Sequence, residues 1–259
     1  MSTEDHQKQT DFPEDAKAKF SLAENLHVYY QFPIVENLMF SLLEILKADA
    51  MRPKGEPKTF NPSDHIVYMF GIILRSMPEK IPELWKKYMY ALPPPLVYGA
   101  LWYSDCTEGK DRLKIESKCS DKQRASLATL YLAKNKPSRW YEADSTIPGN
   151  RTDALKSNSP NMLVGCFSPD AYIQRLEEIW AHWFVTGDTK YLDVIVLMMD
   201  DVNLRKCLAV SESGNEDSIS TYYDKYLNID KKANYDLIMM MGCIMYDKNI
   251  SNFVKSRLF

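Results

Sequence analysis

The chain is predicted to be all-α, a set of stacked antiparallel helix pairs of the degenerate helical-repeat kind, with one long irregular loop at about 136–168. Three features of its 259 residues point there: only nine glycines, apolar residues recurring every third or fourth position through most of the sequence, and very little β-branched alternation. A hydrophobic content of 45% beside 26% charged residues describes an ordinary globular chain, long enough to bury a continuous core. The expected organisation is a disordered polar tail over 1–12 and a single helical domain over 13–259, with the long loop as the one candidate sub-boundary.

The first amphipathic segment runs from Pro13 to about Tyr30, and the second from Pro33 to about Ala50. In the second, Val35, Leu38, Met39, Leu42, Leu43 and Leu46 form one apolar stripe, and Pro33 suits the first turn of a helix. A proline-rich linker follows and ends in N-P-S-D, which opens a helix over Asp64–Ser76. Pro78 and Pro82 punctuate the chain before a short helix in I-P-E-L-W-K-K-Y-M-Y-A-L, and three prolines then introduce L96-V-Y-G-A-L-W-Y. That segment reads as buried helix, with a strand as the alternative. Ser120–Asn135 is helical by its Ala125, Leu127, Ala128, Leu130, Tyr131 and Leu132. Between Lys136 and Ser168 periodicity lapses, and a structureless stretch of that size inside a domain is usually functional or disordered. Helices resume at Pro169–Thr186, Thr189–Asp201, Leu204–Val210, Ser218–Asn228, Lys231–Tyr246 and Ile250–Leu258.

The stretch E178-I-W-A-H-W-F-V-T-G-D188 is the most distinctive in the chain. At about 100° per residue, Ile179, Trp180, Trp183 and Phe184 share one side of a helix and Glu178 and His182 share the other. The tryptophans are expected in the core, and Glu178 with His182 as a surface or inter-helix pair rather than part of a metal site. Gly187 can adopt the left-handed conformation that closes a helix, and Asp188 can cap the next. The returning segment, Leu192–Met199, is apolar on nearly every side apart from Asp193 and should be buried. A strand is its alternative, through the β-branched Val194, Ile195 and Val196.

Residues 172–200 resemble the helix hairpin of tetratricopeptide-type repeat proteins: Leu176, Ile179, Trp183, Phe184, Gly187 and Asp188 fit an aromatic first helix that turns through G-D into an apolar second. The resemblance spans about one repeat. It implies stacked antiparallel helices and binding of a protein or peptide partner.

Charge and motifs narrow the remaining classes. A net charge of −3 supplies no overall basic field, so no nucleic-acid partner is expected. The longest uncharged stretch, Leu92–Ser104, is too short to span a bilayer, and no membrane span is expected. The polar start M1-S-T-E-D-H-Q-K-Q-T-D predicts a cytoplasmic location, with export as the alternative if a leader is removed. Asp105–Arg124 holds six basic and five acidic residues and reads as a solvated face. Five scattered cysteines form no C-x-x-C pair; in an exported protein Cys106 and Cys119, bracketing this charged, loop-like run, would be the first disulfide candidates. Four separated histidines argue against a histidine metal cluster, and no catalytic, cofactor or metal residue is nominated.

The candidate binding residues are those of the long loop and the segment before it. K134-N-K-P-S-R-W-Y-E-A-D144 sets Lys134, Lys136 and Arg139 beside Trp140 and Tyr141, a combination that can anchor an interface, and Asp144 and Arg151 follow. Tyr103 and Asp105 could face the same opening, whereas Trp102 is assigned to helix packing. The expectation is a non-catalytic helical adaptor that binds a protein or peptide. The alternative is an enzyme or small-molecule binder with residues 136–168 as a lid.

Overall fold

A computed structural model describes residues 26–53, 64–137, 169–198, 205, 208, 209, 240, 243, 244 and 247–258. Among these residues there are nine α-helices and no strand: α1 (Val35–Ala50), α2 (Asp64–Ser76), α3 (Ile81–Lys87), α4 (Pro94–Ser104), α5 (Thr107–Glu116), α6 (Lys122–Ala133), α7 (Pro169–Thr186), α8 (Thr189–Met198) and α9 (Lys248–Leu258). The all-α expectation holds, and Leu96–Tyr103 and the described part of Leu192–Met199, the two segments with a strand alternative, are helical. Arg205, Leu208, Ala209, Met240, Cys243 and Ile244 are helical as well. The predicted tail over 1–12, most of the helix from Pro13, the loop beyond Pro137 and the helix at Ser218–Asn228 lie outside the described residues.

Local signals explain where the helices begin and end. Pro94 and Pro95 occupy the first positions of α4, where a missing N–H costs nothing. Asp121 caps α6 by accepting from the backbone N–H groups of Gln123 and Arg124 at 2.9 and 3.1 Å. Asp188 caps α8 through the Lys190 N–H at 3.1 Å, and Asp247 caps α9 through Asn249 at 2.9 Å. The α7–α8 turn closes as expected: Gly187 has φ +63° and donates its N–H to the Trp183 carbonyl at 2.8 Å.

The helices form a layered stack. The closest pairs are α2 with α4 and α2 with α7; α7 also packs on α8, α8 on α9, and α4 on both α5 and α6. One line of layers therefore runs α9, α8, α7, α2, α4, and ends on the α5–α6 pair. Helices α4 and α7, each covered on opposite sides, are accordingly buried around most of their circumference. Tyr98, Leu101, Trp180, Trp183 and Phe184 are almost fully enclosed.

This layering corrects one expectation and completes another. Glu178 and His182 do not lie on a surface: they are buried, because α8 covers the face of α7 that α2 leaves free. The His182 ring stacks on Tyr191 of α8 with centroids 4.9 Å apart, which places His182 between helices. The tryptophans are core, with Trp180 stacked on Phe184 at 5.6 Å and Trp183 against Tyr30 at 4.9 Å.

The charged run from Asp105 to Arg124 is exposed or half-exposed at every charged residue but one. It contains helix α5, whose Glu116 is buried rather than solvated. Cys106 and Cys119 sit beyond opposite ends of that ten-residue helix, itself about 15 Å long, and disulfide geometry requires Cα atoms within about 7 Å. Both thiols are free, and Cys106 instead caps α5 by accepting from the Gly109 N–H at 3.3 Å.

Candidate functional site

The far end of the stack, where α4 meets α5 and α6, carries the site. Three local patterns build it. On α5, Lys110, Leu113 and Lys114 recur at helical spacing and share a face: Leu113 is buried, while the lysine stems run outward. At the end of α6, Tyr131 and Lys134 are three apart and meet on one side. Trp102 leaves α4 two residues before its end and lies beside Tyr131 and Lys134.

Together with Asp105, Leu132, Lys136 and Pro137 these residues line a shallow cleft of about 130 Å³. Its floor is aromatic and fixed. The Trp102 indole N–H donates to the Asn135 carbonyl at 3.0 Å, the Tyr131 hydroxyl donates to the Pro95 carbonyl at 3.3 Å, and the two ring centroids are 6.4 Å apart. Above that floor the Lys134 ammonium sits 4.2 Å from the Tyr131 centroid and 5.2 Å from that of Trp102, a cation–π arrangement worth about 0.5–1 kcal/mol at an open site.

The rim is cationic. Asp105, in the left-handed region at φ 51°, caps the end of α4 and turns its carboxylate between two lysines, 2.6 Å from Lys110 Nζ and 3.7 Å from Lys136 Nζ. Lys114 pairs outward with Asp111 at 2.8 Å. Four lysines thus face the cleft against one carboxylate in its wall.

Neighbouring charges are spent differently. One turn earlier on α4, the Tyr98 hydroxyl donates to the buried Glu116 carboxylate at 2.9 Å, and that carboxylate lies 3.5 Å from Arg124 and 3.9 Å from Arg112. Arg112 covers the Trp85 ring at 4.9 Å and Arg124 the Tyr90 ring at 4.5 Å. Burial, and then the Glu116 carboxylate, push the Tyr98 hydroxyl well above its ordinary range. Here one buried carboxylate engages two half-buried guanidinium groups, 21% and 14% exposed; the lysine cleft is the open one.

Comparison with known proteins finds no matching family model, no matching curated protein and no matching solved structure.

Of the residues nominated from sequence, Asp105 lines the cleft and Tyr103 does not. Tyr103 is buried, its ring 4.7 Å from that of Tyr68 in the α2–α4 contact. It points inward because successive residues on α4 diverge by about 100°, whereas Asp105 has already left the helix through its left-handed turn. Trp102, read as packing, lines the cleft. Arg139, Trp140, Tyr141, Asp144 and Arg151 lie outside the described residues. Lys110, Lys114 and Tyr131 were missed, although the spacing of Lys110 with Lys114 and of Tyr131 with Lys134 was a signal of shared faces. Among the described residues no helix is long and apolar enough to cross a membrane.

Proposed function

We propose that this protein is a non-catalytic helical adaptor that binds a segment of a partner protein at the cleft between α4, α5 and α6. One observation carries the reading: fixed rings of Trp102 and Tyr131 floor an open, lysine-rimmed depression of about 130 Å³. Small-molecule sites generally enclose about 300–1,000 Å³, whereas interface anchors combine aromatic area with nearby cations on a surface. Stacked helix pairs suit such a surface, and the tetratricopeptide resemblance supports the same class of partner.

The test is site-specific photocrosslinking in cells. A photoreactive phenylalanine at Lys136 should recover one protein repeatedly, and the same residue at the exposed Met51 should not. Trp102→Ala should abolish that crosslink while helical circular dichroism is retained. Equal recovery from both positions, or a crosslink indifferent to Trp102→Ala, would remove the support for an adaptor.

A further inference from the structure

We infer that the occupant of this cleft is an acidic segment of the partner, held through carboxylates by the lysines rather than through ring stacking. The inference rests on the adaptor reading and specifies the chemistry of its site.

The argument begins with Asp105. Among the described residues it is the one non-glycine with positive φ, a conformation that aspartate tolerates better than most side chains but that still costs free energy. Held there, its carboxylate lies between Lys110 and Lys136. The protein's own chain thus displays the ligand type that the rim accommodates: a single carboxylate bridging two ammonium groups. Lys134 adds a third cation and Lys114, already paired with Asp111 just outside the lining, a fourth, so four ammonium groups stand against two carboxylates. In a chain whose net charge is −3, this is a local reversal of sign, and the side chains that make it are accessible: those of Lys110, Lys114 and Lys136 are 43%, 63% and 79% exposed.

The same geometry argues against a nucleic acid. Base recognition at such a surface uses open aromatic faces on which bases stack. Here Lys134 covers both rings, so what the cleft presents outward is ammonium. A flexible carboxylate side chain reaches Lys134 without displacing it from the rings. Lysine, a compact hydrated point charge, suits carboxylates arriving singly, in contrast to the bidentate fork of arginine.

The test uses the full chain and a fluorescein-labelled decaglutamate peptide, followed by fluorescence anisotropy. Binding is expected at ~20 mM salt and should weaken about tenfold or more by ~300 mM as the charges are screened. The double substitution Lys134→Glu with Lys136→Glu should cost at least about tenfold, and Asp105→Asn, which removes the internal competitor while keeping tolerance of positive φ, should tighten binding about two- to fivefold. A labelled thymidine decanucleotide should bind at least about tenfold more weakly than the peptide. No peptide binding at low salt, binding indifferent to the charge reversal, or equal or tighter binding of the oligonucleotide would each overturn the acidic occupant. A recovered crosslinked partner with no decaglutamate binding would sink this inference and leave the adaptor standing; decaglutamate binding with no crosslinked partner would sink the adaptor.

Discussion

Gly187 shows how much one hydrogen atom in place of a side chain can decide. At φ +63° an alanine is strained by about 1–2 kcal/mol, and its Cβ would stand 2.3 Å from Tyr30 Cδ2. The ring cannot swing aside freely. Its hydroxyl donates to Asp247 at 2.7 Å and accepts from Asn249 at 2.8 Å, and its face packs on Trp183. Tyr30 thereby fastens the turn of the α7–α8 hairpin to the cap of α9, more than two hundred residues away in sequence. Gly187→Ala should therefore lower unfolding free energy by about 3 kcal/mol, strain and overpacking together, read as a fall in the urea midpoint. In a Tyr30→Ala background the same change should cost only the conformational part, about 1–2 kcal/mol. Additive costs would mean that the ring and the glycine are not in contact.

Between whole elements, the closest packing is that of α2 with α4, and it depends on a reciprocal pair of glycines. A Cβ on Gly71 of α2 would meet Tyr103 Cβ at 2.8 Å and the Ala100 carbonyl at 3.1 Å; a Cβ on Gly99 of α4 would meet Val67 Cγ1 at 2.7 Å. Alanine in either helix gains about 1 kcal/mol of intrinsic propensity, but forcing two helices apart costs about 1–3 kcal/mol. Backbone and a Cβ stand against Gly71, so Gly71→Ala should be net destabilising by about 1–2 kcal/mol. Gly99→Ala should be relieved by Val67→Ala, because a β-branched valine in a helix has essentially one rotamer and cannot turn away. A stabilised Gly71→Ala protein would show that the two helices are not in close contact. The elements themselves were legible where the signal is local: Asp64, Pro169 and Gly187 mark boundaries that the structure keeps, and the lack of any charged residue in Leu96–Tyr103 foretold a helix buried all round. That same uniformity hid the site. With no polar residue to mark an outward side, nothing distinguished Trp102, which faces the cleft, from Tyr103, which faces α2. Glu116 was misread, and His182 left open between surface and inter-helix positions, for the complementary reason: their burial is arranged by Arg124, Tyr98 and Tyr191 from other helices, and a single helix's periodicity carries no trace of those partners.

Across the molecule, the two ends of the stack are each tied by a tyrosine hydroxyl donated to a buried carboxylate, Tyr30 to Asp247 near α9 and Tyr98 to Glu116 near α5. Both hydroxyls ionise late. Burial, followed by the balance of its hydrogen bonds, pushes Tyr30 up to about 12, and burial raises Tyr98 and Tyr29 further still. In the unfolded chain all three titrate near 10. Above that pH the unfolded state has released protons that the folded state keeps, so the unfolding free energy falls as pH rises. The stabilisation is fully present below about pH 10 and is lost as pH climbs through the folded-state values, where a phenolate would face the carboxylate it formerly donated to. The urea midpoint should accordingly be flat with respect to these groups up to about pH 9.5 and drop steeply from about pH 10 to 12. Of the sixteen tyrosines, the last to ionise, followed by phenolate absorbance near 295 nm, should do so together with loss of helix rather than ahead of it. Tyr30→Phe with Tyr98→Phe should lower the midpoint at neutral pH, by loss of both hydrogen bonds, yet flatten its alkaline decline, a pairing of effects that general base lability would not produce. Free titration of these phenols near pH 10 with the helices intact would mean that the hydroxyls are open to water and that neither end of the stack is tied in this way.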